Sequence, residues 1–140
     1  MRVLFALNPS KTVFLYMAPL AWALRTAGHE VCVASQPSFS DVITQAGLTA
    51  VPVGHDRDLQ MTEEEAEIEA NRPGISAPYD AFDDPAKATW DYLKPGIAEA
   101  AGIWHRYGNF PIIGGLVEFA RSWRPDLVIW EPLTFAAPIA

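Results

Sequence analysis

The side chains able to exchange a proton near neutral pH are few: His29, His55, His105 and the single cysteine, Cys32. A histidine beside an acid is the usual makeup of a general base. Val53-Gly54-His55-Asp56 offers that pair, although a solvated loop histidine is the plainer reading of the same residues. His29, in Ala27-Gly28-His29-Glu30-Val31, closes a turn ahead of an apolar run and reads as structural. His105, in Trp104-His105-Arg106, lies in a helical stretch without a partner at useful spacing. No combination of these residues has metal-ligand spacing, so no metal is expected. Glu131, in Trp130-Glu131-Pro132, has two readings. It orients a hydroxyl or exchanges a proton, or it bonds the backbone amides of the following segment.

A second place for chemistry is the loop Asn8-Pro9-Ser10-Lys11-Thr12, directly after an apolar run. Loops that cradle phosphate use glycines, so that backbone amides can approach the oxygens. This loop contains none, and it lacks Gly-Lys-Ser/Thr. It is either an ordinary polar connection or the edge of a site for something other than phosphate.

These residues are placed by a regular order of elements. Residues 3–7 form a continuous apolar run suited to a strand buried on both faces. Residues 13–27 are apolar nearly all round and end at Gly28, a helix stop. Pro19 either kinks that helix or sits in the first turn of one starting near Met17. Residues 31–34 make a second short strand. Ser38 or Ser40 caps a helix that runs to Ala46 and stops at Gly47, and residues 48–53 form a third strand. The order β-α-β-α-β with short connections predicts a parallel sheet with right-handed crossovers. Asn8, His55 and Glu131 then all lie at carboxyl ends of strands, where open α/β sheets bind ligands.

Residues 54–85 are polar, with Glu63, Glu64, Glu65, Glu67 and Glu69 close together as a solvated face or loop. Residues 86–107 read as a helix broken at Pro95-Gly96, and 112–123 as another helix. Residues 126–130 are a fourth strand, and Glu131-Pro132-Leu133 is expected to open a further helix. The apolar tail 134–140 carries no stop signal, which suggests part of a longer protein. Aromatic residues of the first helix and the middle segment, among them Phe14, Tyr16, Phe82 and Trp90, pack in cores or line a broad apolar cleft.

Composition narrows the function classes. Of the 140 residues, 50% are hydrophobic and 19% charged, enough for one domain with a core. The formal net charge of −7 removes any general attraction to nucleic acid or anionic lipid. One cysteine excludes an internal disulfide and fits a reducing cytoplasm, the expected location. Arg2 followed at once by a strand-like run is not a secretory signal, and the apolar run 13–24 is too short to span a bilayer.

Several ordered segments resemble the actinobacterial antibiotic glycosyltransferases that act on macrolides and aromatic polyketides. They are Met1-Arg2-Val3-Leu4-Phe5, the run from Ala18-Pro19-Leu20 to Gly28-His29-Glu30-Val31, Ala46-Gly47-Leu48, and Arg121-Ser122-Trp123-Arg124-Pro125-Asp126-Leu127-Val128-Ile129-Trp130-Glu131-Pro132. The resemblance implies an α/β, Rossmann-like parallel sheet with flanking helices, the amino-terminal half of a GT-B fold. Residues 1–140 would be an incomplete acceptor-binding domain, with the nucleotide-sugar domain absent. The implied activity is transfer of a deoxysugar from a nucleotide diphosphate sugar, a co-substrate rather than a cofactor, to a polyketide-type aglycone. A non-catalytic aglycone-binding or accessory module is the alternative.

The implied partners are the aglycone, the nucleotide sugar and, as in some relatives, an auxiliary activator or a second copy of the chain. No nucleic acid or membrane is expected. Implied acceptor-binding residues are Asn8, Pro9, Ser10, Lys11, Thr12, Val13, Phe14, Tyr16, Phe82, Trp90 and Glu131. Many members of the family carry a basic histidine where this chain has Val13. That leaves the base unassigned, with His55 and Glu131 as candidates.

Overall fold

The computed structural model describes residues 1–56 and 79–140. The Glu63–Glu69 cluster lies outside the described residues. The chain divides into two compact units, Met1–Arg57 with His105–Ala140, and Asp58–Trp104.

The first unit contains a four-stranded parallel sheet. Its strands are β1 (Arg2–Ala6), β2 (Glu30–Ser35), β3 (Thr49–Pro52) and β4 (Leu127–Trp130), in the spatial order β3-β2-β1-β4. Ala6 is registered with Ala34 on one side and Trp130 on the other. The helices are α1 (Lys11–Thr26), α2 (Ser40–Gln45) and α4 (Phe110–Trp123); a further helix, α3 (Trp90–Ile103), belongs to the second unit.

Alternation along β1 sorts the core into two halves. Val3, Phe5 and Leu7 pack with Phe14, Met17 and Ala21 of α1 and Ile43 of α2. Leu4 and Ala6 face the other way, onto Ile112 and Leu116 of α4. The sheet is therefore covered on both faces, which is why its strands read as unbroken apolar runs.

Two helices carry internal prolines, and the reason is the same. Pro19 in α1 and Pro95 in α3 both sit on exposed faces, where water satisfies the carbonyl that loses its amide partner. The α1 helix thus starts at Lys11, ahead of residue 13 and well ahead of Met17. Gly28 and Gly47 end their helices with positive φ, as the sequence indicated.

Gly54 is required for a stronger reason. Its φ is +67°, and a β-carbon there would fall 1.8 Å from the carbonyl oxygen of Pro111. The turn after β3 lies directly against the first turn of α4, backbone to backbone.

The expected helix after Glu131 does not form. Residues beyond β4 make tight turns and one 3₁₀ turn, Ala137–Ile139. The Glu131 carboxylate takes the amide of Leu133, and the Glu131 carbonyl takes the amide of Thr134. Local capture of this kind competes with helix propagation.

In the second unit, 3₁₀ turns at Tyr79–Phe82 and Pro85–Lys87 precede α3. Asp80 pins them: Tyr92 Oη donates to its carboxylate at 2.7 Å and Lys87 Nζ at 3.2 Å. The Tyr92 hydroxyl is the main influence, with Lys87 helping, in holding the Asp80 carboxyl below its ordinary pKa.

Candidate functional site

Strand order reverses between β1 and β4, because the chain winds outward from β1 to β3 and then returns to place β4 on the other side. In open α/β sheets the loops at such a switch diverge and leave a crevice at the carboxyl ends. The two loops here are Asn8–Ser10 after β1 and Glu131–Phe135 after β4.

A side-chain bridge spans the switch point. Asn8 Nδ2 donates to Glu131 Oε1 at 2.8 Å, joining residues 123 positions apart. The same carboxylate accepts from the Leu133 amide at 2.7 Å and from the Thr134 hydroxyl. Asn109, at the start of α4, continues the network by donating to the Leu133 carbonyl at 3.0 Å and accepting from the Ala136 amide at 2.9 Å. Asn8 and Glu131 are only 4% and 6% exposed. A buried carboxylate is tolerated when donors surround it, and three do so here. An ionised carboxylate has about four acceptor positions, so Glu131 retains capacity for one further donor.

Because a carboxylate only accepts, the bridge also fixes the Asn8 amide, with its nitrogen toward Glu131. Its Oδ1 points toward Gly108, where an added β-carbon would lie 2.7 Å away. That oxygen has no hydrogen-bond partner.

Next to the bridge, on the α1 side, an open cleft of about 570 Å³ is lined by Phe5, Thr12, Val13, Tyr16, Met17, Leu20, Ile129, Trp130, Glu131 and Pro132. Its walls are the first three turns of α1 and the end of β4. Tyr16 is 88% exposed, and Leu20 and Trp130 are about half exposed. The side chains with polar groups at the cleft are few: the hydroxyls of Thr12 and Tyr16, the Trp130 indole and the Glu131 carboxylate. Large apolar walls with sparse polar anchors are the makeup of a small-molecule site.

The expected site residues fall into distinct places. Thr12, Val13, Tyr16 and Glu131 line the cleft together. Pro9 and Ser10 are half-buried and Lys11 is exposed, and none of the three is among the lining residues. Asn8 lies beneath, in the bridge. Phe14 is corrected to a core residue: it is 1% exposed and meets Phe39 edge-on at 5.8 Å, so its ring has no face for a ligand. Trp90 belongs to the second unit, 70% exposed with the Lys94 ammonium 5.9 Å from its ring. The side chain of Phe82 lies outside the described residues.

His55 and Glu131 follow the two outermost strands of the described sheet, β3 and β4. His55 is exposed. Its neighbour Asp56 faces Ser38, whose amide donates to it at 2.7 Å and is the main cause of a lowered carboxyl pKa. Burial, and then Glu30, push the Cys32 thiol up, away from the nucleophilic thiolate. Among the described residues no group of three His, Cys, Asp or Glu could hold a metal ion. Among them, too, no helix is long and apolar enough to cross a membrane.

Several participants carry no sequence signal. Asn109 and Thr134 look like ordinary loop residues, and Gly108 like one more turn glycine. Trp130 could have been found, since it ends a strand at the side expected to bind ligands.

Comparison with known proteins agrees with this architecture. The family model for the erythromycin biosynthesis protein CIII-like N-terminal domain matches residues 22–140. The chain is 46% identical over 143 residues to a 3-alpha-mycarosylerythronolide B desosaminyl transferase of Saccharopolyspora erythraea, covering 100% of this chain and 33% of that protein. It is 40% identical over 151 residues to an aklavinone 7-beta-L-rhodosaminyltransferase of Streptomyces galilaeus, covering 100% of this chain and 32% of that one. Among solved structures, the glycosyltransferase VinC in complex with DTDP superposes with a TM-score of 0.71 at 38% identity, over 99% of this chain and 31% of that chain. The chain thus spans about a third of the length of the curated relatives it matches. Its sheet and flanking helices are those of the amino-terminal half of GT-B glycosyltransferases.

Proposed function

Since the chain belongs to the erythromycin biosynthesis protein CIII-like N-terminal domain family, we propose that it forms the acceptor-binding part of a glycosyltransferase. The transfer moves a deoxysugar from a nucleotide diphosphate sugar to a hydroxylated, polyketide-type natural product. The observation that carries this reading is the apolar cleft at the β1–β4 switch point, edged by a glycine-free loop. A diphosphate needs converging amides or cations. Among the residues lining the cleft there is no lysine or arginine, and the one charged group is a carboxylate, which repels phosphate.

An apolar aglycone gains by leaving water for such walls. Tyr16, Leu20 and Trp130 supply its apolar contact. Glu131, held by three donors, accepts a hydrogen bond from an aglycone hydroxyl and sets its orientation. Val13 has no lone pair, so it cannot take the proton of that hydroxyl. The same fact favours a second reading, a non-catalytic aglycone-binding module.

Equilibrium titration of this chain with an aglycone panel and, separately, with thymidine diphosphate tests the proposal. Saturable aglycone binding without measurable nucleotide binding is expected. Nucleotide binding without aglycone binding contradicts it. Turnover of aglycone and nucleotide sugar by a protein of the relatives' full length separates the enzymatic reading from the accessory one.

A further inference from the structure

The two oxygens of the Glu131 carboxylate are loaded unequally. Oε1 accepts from Asn8 Nδ2 at 2.8 Å and from the Thr134 hydroxyl. Among the described residues Oε2 accepts from the Leu133 amide alone, at 2.7 Å. Each carboxylate oxygen offers about two acceptor positions. Oε1 is therefore full, and the open position is on Oε2. Both side chains that fill Oε1 are buried, Asn8 at 4% exposure and Thr134 at 0%. Glu131 lines the cleft, and Asn8 does not.

Stability alone does not explain an amide at position 8. Its Nδ2 gains a bond to a carboxylate, but its Oδ1 is buried without a hydrogen-bond partner. A stranded buried acceptor costs about as much as such a bond contributes. The amide cannot turn over to relieve that cost, because its oxygen would then face the carboxylate. What the side chain does supply is direction: from beneath the cleft it ties down one chosen oxygen of Glu131.

We propose that Asn8 is a positioning residue for the acceptor, which keeps Glu131 Oε2 open to a single donor on the ligand. This rests on the acceptor-binding reading above and adds the residue that sets selectivity and the group it selects. A ligand hydroxyl donates to Oε2. An ether oxygen in the same place only accepts, and meets the lone pairs of the carboxylate. Without Asn8, Oε1 regains an open position, the carboxylate can turn, and the hydroxyl is no longer held in one pose.

The test is calorimetric titration of the whole chain and of its Asn8→Leu variant, which keeps bulk and removes the donor. The probes are 10-deoxymethynolide, tylactone and aklavinone, each alongside its O-methylated form. For an aglycone that binds, wild type should prefer the hydroxyl form by about tenfold, the scale of one hydrogen bond to a charged group. In Asn8→Leu that preference should fall to about twofold or less, while the O-methylated form binds both proteins alike. A second readout needs no variant and covers the case in which Asn8→Leu does not fold. The side-chain amide resonance of Asn8 in the wild-type chain should shift with the hydroxyl form and stay in place with the O-methylated form.

An equal loss of both forms in Asn8→Leu would mean that Asn8 only supports the fold, and overturns the inference. So does an undiminished hydroxyl preference in that variant, or an Asn8 amide resonance that responds identically to the two forms. Each of these leaves the acceptor-binding reading intact. A chain that binds none of the three aglycones overturns both.

Discussion

The two ends of the same strands are built in opposite ways. At the amino ends of β1, β2 and β4, charges meet in the open. Arg2 pairs with Glu30 at 3.2 Å, its amide donates to Asp126, and its guanidinium reaches the Trp123 carbonyl. At the carboxyl ends, the groups linking β1 to β4 are buried and bonded one to another through Asn8, Glu131, Thr134 and Asn109. Exposed pairs are individually weak because water serves both partners nearly as well. Buried polar groups have no such alternative, and losing one strands the rest. The end that is costly to build is also the one with the apolar cleft, which is where a binding function belongs.

Glycine substitutions sharpen that contrast most. Gly54, at the carboxyl side, and Gly28, at the amino side, both have positive φ, but only Gly54 is hemmed in by backbone. Gly54→Ala should cost about 3–5 kcal/mol from the combined clash and left-handed strain. Gly28→Ala, with open space around it, should cost only about 1–2 kcal/mol. Urea denaturation of the two variants reads the difference; equal losses would mean that the turn after β3 is not pressed onto α4.

Removing the carboxylate comes next. Glu131→Ala leaves Asn8, Thr134 and the Leu133 amide without their acceptor, and should lower stability by about 2–4 kcal/mol. At the other end, Glu30→Ala should change stability by about 1 kcal/mol or less. A Glu131 variant as mild as the Glu30 one, in the same denaturation assay, would break the distinction between the ends.

The smallest effect expected is one of pH. Asp56 has a carboxyl pKa lowered chiefly by the Ser38 amide, so its folded value lies below its unfolded one. Its contribution is complete above the unfolded pKa and fades as pH falls through the folded one. Asp56→Asn should therefore flatten part of the acid limb of a melting-temperature profile and leave neutral and alkaline behaviour alone.

The sheet was legible because its signals are local and redundant. Apolar runs marked all four strands, Gly28 and Gly47 marked two helix ends, and the alternation of elements implied parallel pairing. The start of α1 was missed because Pro19 reads as a boundary signal, whereas the helix runs from Lys11 straight through it. The helix anticipated after Glu131 failed because that side chain bonds its own neighbours, a choice that propensity does not record.

The candidate site was legible in outline only. The rule that ligands sit at carboxyl ends pointed to Thr12, Val13 and Glu131, and the count of aromatics to Tyr16; the four line one cleft. It could not place Phe14, since an aromatic side chain at a helix start serves core or cleft according to a rotation of about 100° per residue. Nor could it foresee the Asn8–Glu131 bridge, which depends on β4 lying beside β1 after a long excursion of the chain.

The most direct test of the central claim is residue-resolved mapping of aglycone binding by amide chemical shifts on this chain. The account predicts saturable shifts at Thr12, Val13, Tyr16, Ile129, Trp130 and Glu131, with Met1, Arg2, Gly28 and Glu30 unmoved. Shifts confined to the amino ends of the strands, or shifts in the cleft that appear with thymidine diphosphate and not with aglycone, would contradict it.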